Sequence, residues 1–536
     1  MAEKVIRTNE SLIPFLGERL NFIRGLDPLG LQNTSDTTFS LLLPGLNNVT
    51  GRIRYYSFYC WVLDIYSKVN GSTNPEEQKK FIRRAEFIVA LASNYIDGDR
   101  SSIPGTNYAI LEIDINKKTE HDLQSATFKP DGSTRGSYWT YPTGAFGQYY
   151  FGSLRNIGII TERENQSGIY VRINKRTDDI VRGEDLAEAF DQNISAERKQ
   201  LFLNAIYTGR INEVELKSLL PDFNLTQVPN NSKEQDLLIK LLIQKDYPLR
   251  IEDEPYDLRK QTVKHLLQFI IANRGELTDR SFVYNCYKTK GKLNSTTDNC
   301  LMGWYYYQFN EFWHYANTSI LNGTLAYLEN TVGPKWMPIY QLVTEVTQGV
   351  IQFYIDHGYL TSGDEDVSSL LTNISVLNEF DCFNNCSKTK IIEKVANAFL
   401  LMFTISLNNK SQLVELKEYS ENNELGKDGE PAGYFVTQFG SKKQTSIYKF
   451  LFDYIYVNVI YRHQYVAFRK IGGGIQSTQK FIIEDLNIRF LGNFEATYTG
   501  PRVGNLIAFL KDLHMVTPEN SLTDHGVLLL NNLNAL

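Results

Sequence analysis

The chain has 536 residues, of which 42% are hydrophobic and 22% are charged, a globular mixture that excludes a largely disordered, collagen-like or disulfide-scaffold protein. At about 150 residues per domain, this length predicts roughly three or four domains. The 61 acidic and 55 basic residues leave a net charge of −6, so any contact with nucleic acid must come from a local basic patch.

The N-terminal residues lack the apolar core of a signal peptide, and the longest apolar stretch, 398–407, is shorter than the about 20 residues of a membrane span. The five cysteines are odd in number and scattered, which predicts reduced thiols without a disulfide or a zinc site. We therefore expect a cytoplasmic protein with no membrane partner, no cofactor and no bound metal.

Helices are predicted for the first hundred residues. Apolar side chains recur at helical spacing over 81–95 and form a single stripe, and the aromatic-rich stretch 51–69 predicts a buried helix before it. The stretch 25–51 is rich in Gly, Pro, Asn and Thr and predicts an ordered surface loop. Together these patterns predict an N-terminal helical lobe over residues 1–105.

Residues 106–180 contain a pattern typical of a winged helix. A helix is predicted at 142–150, followed by a turn and a second helix at 152–156. Apolar and polar residues then alternate over 159–162 and 169–173 on either side of a polar turn, which predicts a β-hairpin. Helix, helix and hairpin is the order of a winged helix-turn-helix.

In such a segment the second helix and the hairpin present cationic and amide side chains to nucleic acid. Arginine and asparagine suit this task because they form bidentate contacts with base edges or phosphates. The predicted nucleic-acid-binding residues here are Ser153, Arg155, Asn156, Arg163 and Arg172. The stretch 135–182 contains seven Lys or Arg and four Asp or Glu, which gives a local net charge of +3. The alternative is a winged helix that only docks another protein.

Further helices are predicted along the rest of the chain. Residues 181–300 predict a helical middle region with a linker near 224–233, and residues 301–418 predict an aromatic helical bundle. Residues 445–536 predict a C-terminal helix, a strand-like stretch and two more helices. These last elements predict a second winged-helix-like segment.

In this second segment, Arg502 and Lys511 are predicted to be exposed and to contact nucleic acid. The local charge is close to balanced, so dimerisation or a scaffold role is an open alternative. The whole pattern predicts a mainly α, multi-lobed fold made of helical bundles, with one or two winged-helix-like segments that carry small β-hairpins.

A metal-dependent nuclease is the enzymatic alternative. A strand is predicted at 109–115; Glu112 and Asp114 lie on it, and Lys117 or Lys118 follows it. Such enzymes place carboxylates and a lysine around magnesium. The sequence offers no second carboxylate-bearing strand, so we assign no catalytic residue and expect a non-enzymatic protein.

A cluster of charged residues lies in the two aromatic helices of the N-terminal lobe. Its members are Arg52, Arg54, Arg83, Arg84 and Glu86. Glu86 follows Arg83 within one helical turn, and the arginine fork favours partly buried ion pairs, so we predict a structural ion-pair network. The alternative is an exposed arginine cluster that binds phosphate.

Three stretches occur together in an order that resembles a known group. They are GRIRYYSFYCW at 51–61, IRRAE at 82–86 and YYFGSLRNIG at 149–158. This order resembles a group of uncharacterised bacterial proteins suspected of belonging to phage-defence or mobile-element loci, over about residues 25–175. The resemblance implies an antiviral-defence or mobile-element component that binds DNA or docks a partner subunit, such as an ATPase or a nuclease, that carries the catalysis.

Overall fold

The computed structural model describes residues 21–22, 27–96, 102–176, 179–245, 257–273, 275–388, 390–426, 430–471 and 476–535. Over these residues the protein is mainly helical with a few small antiparallel sheets, which confirms the predicted fold class at that level.

The helices in chain order are α1 (Gln32–Leu42), α2 (Arg54–Val69), α3 (Pro75–Ser93), α4 (Thr106–Ile110), α5 (Leu123–Thr127), α6 (Phe151–Asn156), α7 (Gly183–Gln192), α8 (Ala196–Thr208), α9 (Glu213–Phe223), α10 (Lys233–Ile243), α11 (Leu258–Ala272), α12 (Ser281–Lys288), α13 (Asn299–Val332), α14 (Ile339–Asp356), α15 (Val367–Asn373), α16 (Glu379–Lys388), α17 (Ile391–Asn408), α18 (Leu413–Asn422), α19 (Ala432–Tyr434), α20 (Gly440–Lys442), α21 (Ile447–Asp453), α22 (Arg462–Ile471), α23 (Val503–Asp512) and α24 (Asp524–Ala535). Wider π-helical turns occupy Leu111–Ile115, Phe146–Tyr150, Phe435–Phe439 and Tyr454–Tyr461.

The strands are β1 (Asn21–Phe22), β2 (Glu120–Asp122), β3 (Ile160–Arg163), β4 (Gln166–Arg172), β5 (Arg210–Asn212), β6 (Lys292–Leu293), β7 (Thr296–Thr297), β8 (Trp336–Pro338), β9 (Gln476–Ser477), β10 (Phe481–Glu484) and β11 (Asn487–Phe490). Antiparallel pairing joins β2 to β5, β3 to β4, β6 to β7, and β11 to both β10 and β8, whereas β1 pairs with β9 in parallel.

The chain divides into two compact units. Unit 1 comprises Met1–Thr38 and Cys286–Thr499, and unit 2 comprises Phe39–Asn285 and Gly500–Leu536. The structure thus divides the chain at other positions than the sequence predicted. The predicted C-terminal region 445–536 in particular is shared between the two units, so its hairpin and its last two helices do not form one segment.

Unit 1 is organised around α13, a helix of 34 residues that is buried along most of its length. Asp298 caps its first turn by accepting a hydrogen bond from the Leu301 amide, and the helix ends at Gly333, whose φ of 58° favours glycine. Its aromatic residues surround the whole helix rather than one face, which explains why α17 and α16 pack against it.

Helix α17 is, among the described residues, the one that is long and apolar enough to cross a membrane by length and composition. About two thirds of it, 67%, is buried, and it packs against α13, α14 and α16. These contacts are those of a core helix.

Unit 2 is built on α2 and α3, which carry the aromatic and apolar stripes identified in the sequence. Buried aromatic rings of α2 extend to α7, with Trp61 lying 5.5 Å from the Phe190 ring, and α3 packs on α9. Two predictions are wrong in this region of the sequence. The predicted loop 25–51 contains helix α1, and the predicted linker 224–233 is packed, with Leu225 and Val228 buried.

Candidate nucleic-acid interface

The hairpin of the predicted winged-helix region follows a continuous helical stretch. Residues 152–156 are helical as predicted, but the π-helical turn Phe146–Tyr150 continues directly into α6, so the expected turn between two helices is wrong and residues 146–156 form a single helix. The hairpin prediction is confirmed, because β3 and β4 pair antiparallel. We call these elements the 146–156 helix and the β3–β4 hairpin.

Glu86 of α3 fixes the start of the 146–156 helix. Its carboxylate accepts hydrogen bonds from the amides of Ala145 and Phe146, at 3.0 and 2.6 Å, and from the hydroxyls of Tyr59 and Tyr138. Helix N-termini leave such amides without intrahelical partners, and a carboxylate there also complements the helix dipole. Burial raises the pKa of Glu86, while the hydrogen bonds from Tyr138, Phe146 and Tyr59 and the charge of Arg83 act in the opposite direction.

Arg83, which is fully buried one turn earlier on α3, anchors the loop that precedes the helix. Its guanidinium donates to the carbonyl oxygens of Thr127 and Trp139, both at 2.8 Å, and to that of Tyr141 at 2.6 Å. Because one guanidinium binds both ends of the loop 127–139, this loop is closed at its base. Burial lowers the pKa of Arg83, and the carbonyl acceptors compensate the lost hydration.

The other arginines of the predicted network are also held inside unit 2. Arg52 pairs with Asp512 at 2.9 Å, and Arg54 pairs with Glu234 at 3.2 Å. Arg84 donates to the carbonyl oxygen of Ile206 at 2.6 Å.

The hydrogen-bond and ion-pair partners found for these arginines and for Glu86 lie outside the predicted set. Each of the five residues is therefore held by contacts of its own, although the buried Arg84 Nε has no hydrogen-bond partner among the described residues, and Arg83 lowers the pKa of Glu86 electrostatically. An exposed, phosphate-binding arginine cluster is incompatible with the burial of Arg52, Arg54 and Arg83.

Two of the predicted nucleic-acid-binding residues have structural contacts instead. Ser153 is buried and accepts a hydrogen bond from the side chain of Asn47 at 2.8 Å, so it faces the core. Arg172 is held by the carboxylates of Asp64 and Glu184 at 2.9 and 3.2 Å. These two predictions are corrected, because Ser153 is buried and the Arg172 guanidinium is already paired with carboxylates.

The remaining three residues are exposed. Arg155 and Asn156 lie at the end of the 146–156 helix, and Arg163 ends strand β3. Within the described part of the chain, no hydrogen bond or ion pair joins the side chain of any of them to another residue. Their donors are therefore available to a ligand.

The exposed positions of the helix follow one stripe. Gln148, Gly152 and Arg155 are all exposed, and their spacing of four and three residues places them on the same helix face. A Cβ added to Gly152 would have no atom within 4 Å, so the middle of the stripe is open backbone. We call these three residues the exposed stripe.

An aromatic cleft of about 550 Å³ adjoins this stripe. Trp139 and Tyr149 form one side of it, with ring centroids 5.2 Å apart and planes at 85°. The Trp139 indole donates to the Gln148 side chain at 2.8 Å, which connects the cleft to the exposed stripe. The residues that line the cleft carry no formal charge, so it suits a neutral planar ring better than an ion.

Sequence reasoning missed Gln148, Gly152, Trp139 and Tyr149 as candidate functional residues. The spacing of positions 148, 152 and 155 predicts one helix face if the helix runs unbroken from residue 146. The predicted turn at 152 interrupts the helix, so these positions are not grouped by the sequence pattern. The cleft had no sequence signal, because its walls come from segments that lie apart in the chain, at 48–49, 102–108, 138–139 and 149.

In the second predicted segment the two cations have protein partners. The Arg502 guanidinium lies 3.8 Å from the centre of the Phe39 ring, and the Lys511 ammonium donates to the carbonyl oxygen of Pro518 at 3.2 Å. Between α23 and α24 the chain forms only an isolated bridge of Val516 with Leu522, in place of a hairpin. The prediction of free nucleic-acid-binding cations here is wrong for both residues.

The region of the proposed nuclease carboxylates is helical. Residues 109–115 lie in α4 and a π-helical turn instead of a strand, and Glu112 pairs with Lys118 at 2.8 Å. Over the described residues, no group of three or more His, Cys, Asp or Glu is arranged to hold a metal ion. The five cysteines are buried with free thiols.

Comparison with protein-family models, with curated proteins and with solved structures found no match to this chain.

Proposed function

We propose that unit 2 binds DNA through the 146–156 helix and the β3–β4 hairpin, which act together in the manner of a winged helix. The observation that carries the proposal is the exposed stripe, which ends at Arg155, a cation without a partner among the described residues. Arg155 and Arg163 would contact phosphates, and Gln148 and Asn156 would contact base edges or the sugar-phosphate backbone.

The shape of the stripe supports this proposal. The major groove of B-DNA admits an α-helix, and Gly152 leaves the middle of the exposed face without a side chain, so the helix backbone could approach the DNA closely there. Close approach of a helix backbone to a ligand is one of the reasons for glycine in a helix, where it otherwise lowers stability.

The aromatic cleft extends the proposal to unpaired bases. Base stacking on aromatic side chains contributes about 1–3 kcal/mol per base and depends little on sequence. Trp139 and Tyr149 would hold a base displaced from a duplex or in a single strand, next to the phosphates that Arg155 binds. We therefore expect tighter binding to a duplex with an unpaired base than to a fully paired one.

A second candidate function is protein docking. Glu162 and Glu164 flank Arg163 on the hairpin and are exposed, so the hairpin alone has no net positive charge. This arrangement favours a protein partner at the hairpin, whereas the helix favours DNA. Under either function a partner subunit, such as an ATPase or a nuclease of a defence or mobile-element system, would supply the catalysis.

The test compares two charge reversals of equal size in unit 2. Binding of a fluorescent duplex is measured by anisotropy in the absence of magnesium, at about 50 to 200 mM salt, where phosphate contacts dominate the affinity. Arg155→Glu should weaken binding at least about tenfold, whereas Lys511→Glu, whose ammonium already binds a carbonyl oxygen, should leave it nearly unchanged.

Thermal unfolding of both variants checks that each is folded. Equal DNA affinity of wild type and Arg155→Glu would contradict the proposal and leave protein docking as the function. Equal losses in the two variants would show that only overall charge matters and would also contradict it. Cleavage of the duplex after magnesium is added would instead support the nuclease alternative.

A further inference from the structure

Unit 1 contains a polar cleft of about 620 Å³ that the DNA-binding proposal does not use. Its volume lies within the about 300–1,000 Å³ of small-molecule sites in proteins. One wall is the face of α13 that carries His314, Thr318 and Asn322, spaced four residues apart. The opposite walls include Asp27 and Glu495.

His314 is the most unusual residue of this cleft. It is only 2% exposed, and its Nδ1 atom has no hydrogen-bond partner among the described residues. Burial lowers the pKa of His314 to about 4, so the imidazole is neutral at pH 7 and one of its ring nitrogens is an acceptor. Buried polar atoms are nearly always paired, so an unpaired one at the edge of a cleft indicates a missing partner.

Two carboxylates contribute further acceptors. Asp27 uses one oxygen to accept the Leu31 amide at 2.8 Å, and Glu495 is exposed. In the part of the chain that the structure describes, no ion pair joins either carboxylate to a lysine or arginine. The residues that line the cleft include these two carboxylates and no lysine or arginine, so the lining itself has a net negative charge.

The wall opposite α13 is fixed in place before any ligand arrives. Asn322 accepts a hydrogen bond from the Lys394 ammonium at 3.0 Å and directs its own amide to Asn493 at 3.1 Å and to the carbonyl oxygen of Phe494. The Lys394 ammonium is thus used to orient an amide, and the Lys470 ammonium donates to the carbonyl oxygen of Asp27 at 2.6 Å. A preformed wall lowers the entropy that binding would cost.

We propose that this cleft binds a small organic cation with several N–H donors, such as an amine or a guanidinium compound. The chemistry of the acceptors selects this class, because two carboxylates and a neutral imidazole can each accept a hydrogen bond from the ligand. An anion would be repelled by Asp27 and Glu495. A hydrogen bond between charged groups is stronger than one between neutral groups, so the two carboxylates provide most of the affinity.

Isothermal titration calorimetry with agmatine, which carries both an amine and a guanidinium group, tests the proposal on the full-length protein. Glucose and inorganic phosphate are the neutral and anionic probes. We expect agmatine to bind and the other two compounds to give no heat of binding. Glucose binding in place of agmatine, or no binding of any probe at millimolar concentration, would overturn the proposal.

Isosteric variants locate the site. Asp27→Asn and Glu495→Gln each remove one negative charge with little change in shape, and each should weaken agmatine binding at least about tenfold. Glu484→Gln is the matched control, because Glu484 is an exposed residue of strand β10 outside the cleft. If the control weakens binding as much as Asp27→Asn does, agmatine only screens surface charge and the proposal is wrong.

His314→Leu tests the imidazole and should weaken agmatine binding measurably, by a smaller factor than either carboxylate variant, and unchanged affinity would exclude the imidazole from the site. If that variant unfolds, the chemical shift of the His314 ring in the wild-type protein supplies the same information. Addition of agmatine should move that resonance, whereas addition of phosphate should not. A resonance that agmatine leaves unmoved would mean that the ligand binds elsewhere.

Discussion

The two units bury an acidic side chain in different ways. In unit 2 the Glu86 carboxylate accepts four hydrogen bonds and lies near Arg83. In unit 1 Glu311 of α13 is equally buried, and its carboxylate accepts hydrogen bonds from the hydroxyl of Ser35 and from the amide and hydroxyl of Thr499. Among the described residues, no cation is found to lower its pKa. Burial raises the pKa of Glu311 to about 8.

This difference underlies the two sites that we propose. In unit 2 the buried charged side chains of α2 and α3 have protein partners, although the Arg84 Nε has none among the described residues, so we propose the exposed stripe as the ligand-binding surface. In unit 1 the polar residues of α13 are less completely satisfied, and the unpaired His314 nitrogen lies beside a cleft. The proposed site in unit 2 depends on an exposed cation, Arg155, and the proposed site in unit 1 depends on a buried imidazole, that of His314.

The largest expected effect is the loss of stability on removal of the Glu86 carboxylate. Glu86→Ala leaves four buried donors without an acceptor and should lower the free energy of unfolding by about 3–5 kcal/mol. Urea unfolding followed by circular dichroism measures it. Glu86→Gln, which retains one acceptor, should lose clearly less. A loss under about 1 kcal/mol for Glu86→Ala would mean that the amides of residues 145 and 146 find other partners.

Helices α2 and α3 of unit 2 form the region that the sequence predicts best. The apolar stripe of α3 and the aromatic run of α2 predict two buried helices, which the structure contains, whereas the Arg and Glu residues predicted to form one ion-pair network have partners outside that set. Their partners could not be predicted, because Asp512 and Glu234 lie far away in sequence and only the folded chain brings them to Arg52 and Arg54.

The candidate interface was predictable only in part. The exposure of Arg155 and Arg163 was expected, whereas Arg172 has the same sequence signal and is paired with Asp64. A cation count does not show which cations have carboxylate partners, because the pairing depends on tertiary distances. The unit 1 cleft had no sequence signal at all, since its walls come from three segments that lie far apart in the chain.

The second prediction uses pH to probe the less satisfied carboxyl group. Glu311 has a folded-state pKa of about 8, above its ordinary value of 4.5, so the folded state prefers the protonated form. Its stabilising contribution is complete below pH 4.5 and is lost as the pH rises through about 8.

Glu311→Gln mimics the protonated side chain and should not show this loss. From about pH 5 to about pH 9 the stability of the variant should therefore rise relative to wild type, by on the order of 3 kcal/mol. Thermal unfolding at three pH values measures the difference. A constant difference across that range would mean that Glu311 is ionised in the folded protein at neutral pH, and that the two buried glutamates do not differ as described.

The third prediction separates two arginines of the same hairpin. Arg172 is held by two carboxylates, so Arg172→Ala should lower the free energy of unfolding by about 1.5–3 kcal/mol. Arg163→Ala should leave stability unchanged and should reduce the salt dependence of DNA binding by about one unit of slope, as the loss of one phosphate contact requires. The reverse assignment of the two effects would show that the distinction between saturated and available cations is wrong.

The smallest expected effect concerns Gly152, and it tests the exposed stripe by two measurements with opposite signs. A Cβ at this position has free space, and alanine is a better helix former than glycine, so Gly152→Ala should raise the free energy of unfolding by about 0.5–1 kcal/mol. If the helix backbone lies against DNA, the added methyl group should at the same time weaken DNA binding. Gly440→Ala is the matched control, because Gly440 is also helical and a Cβ added there would likewise have no atom within 4 Å, but this glycine belongs to unit 1. That variant should gain stability and retain wild-type affinity, and a Gly152→Ala protein that does the same would place the stripe outside the DNA-binding surface.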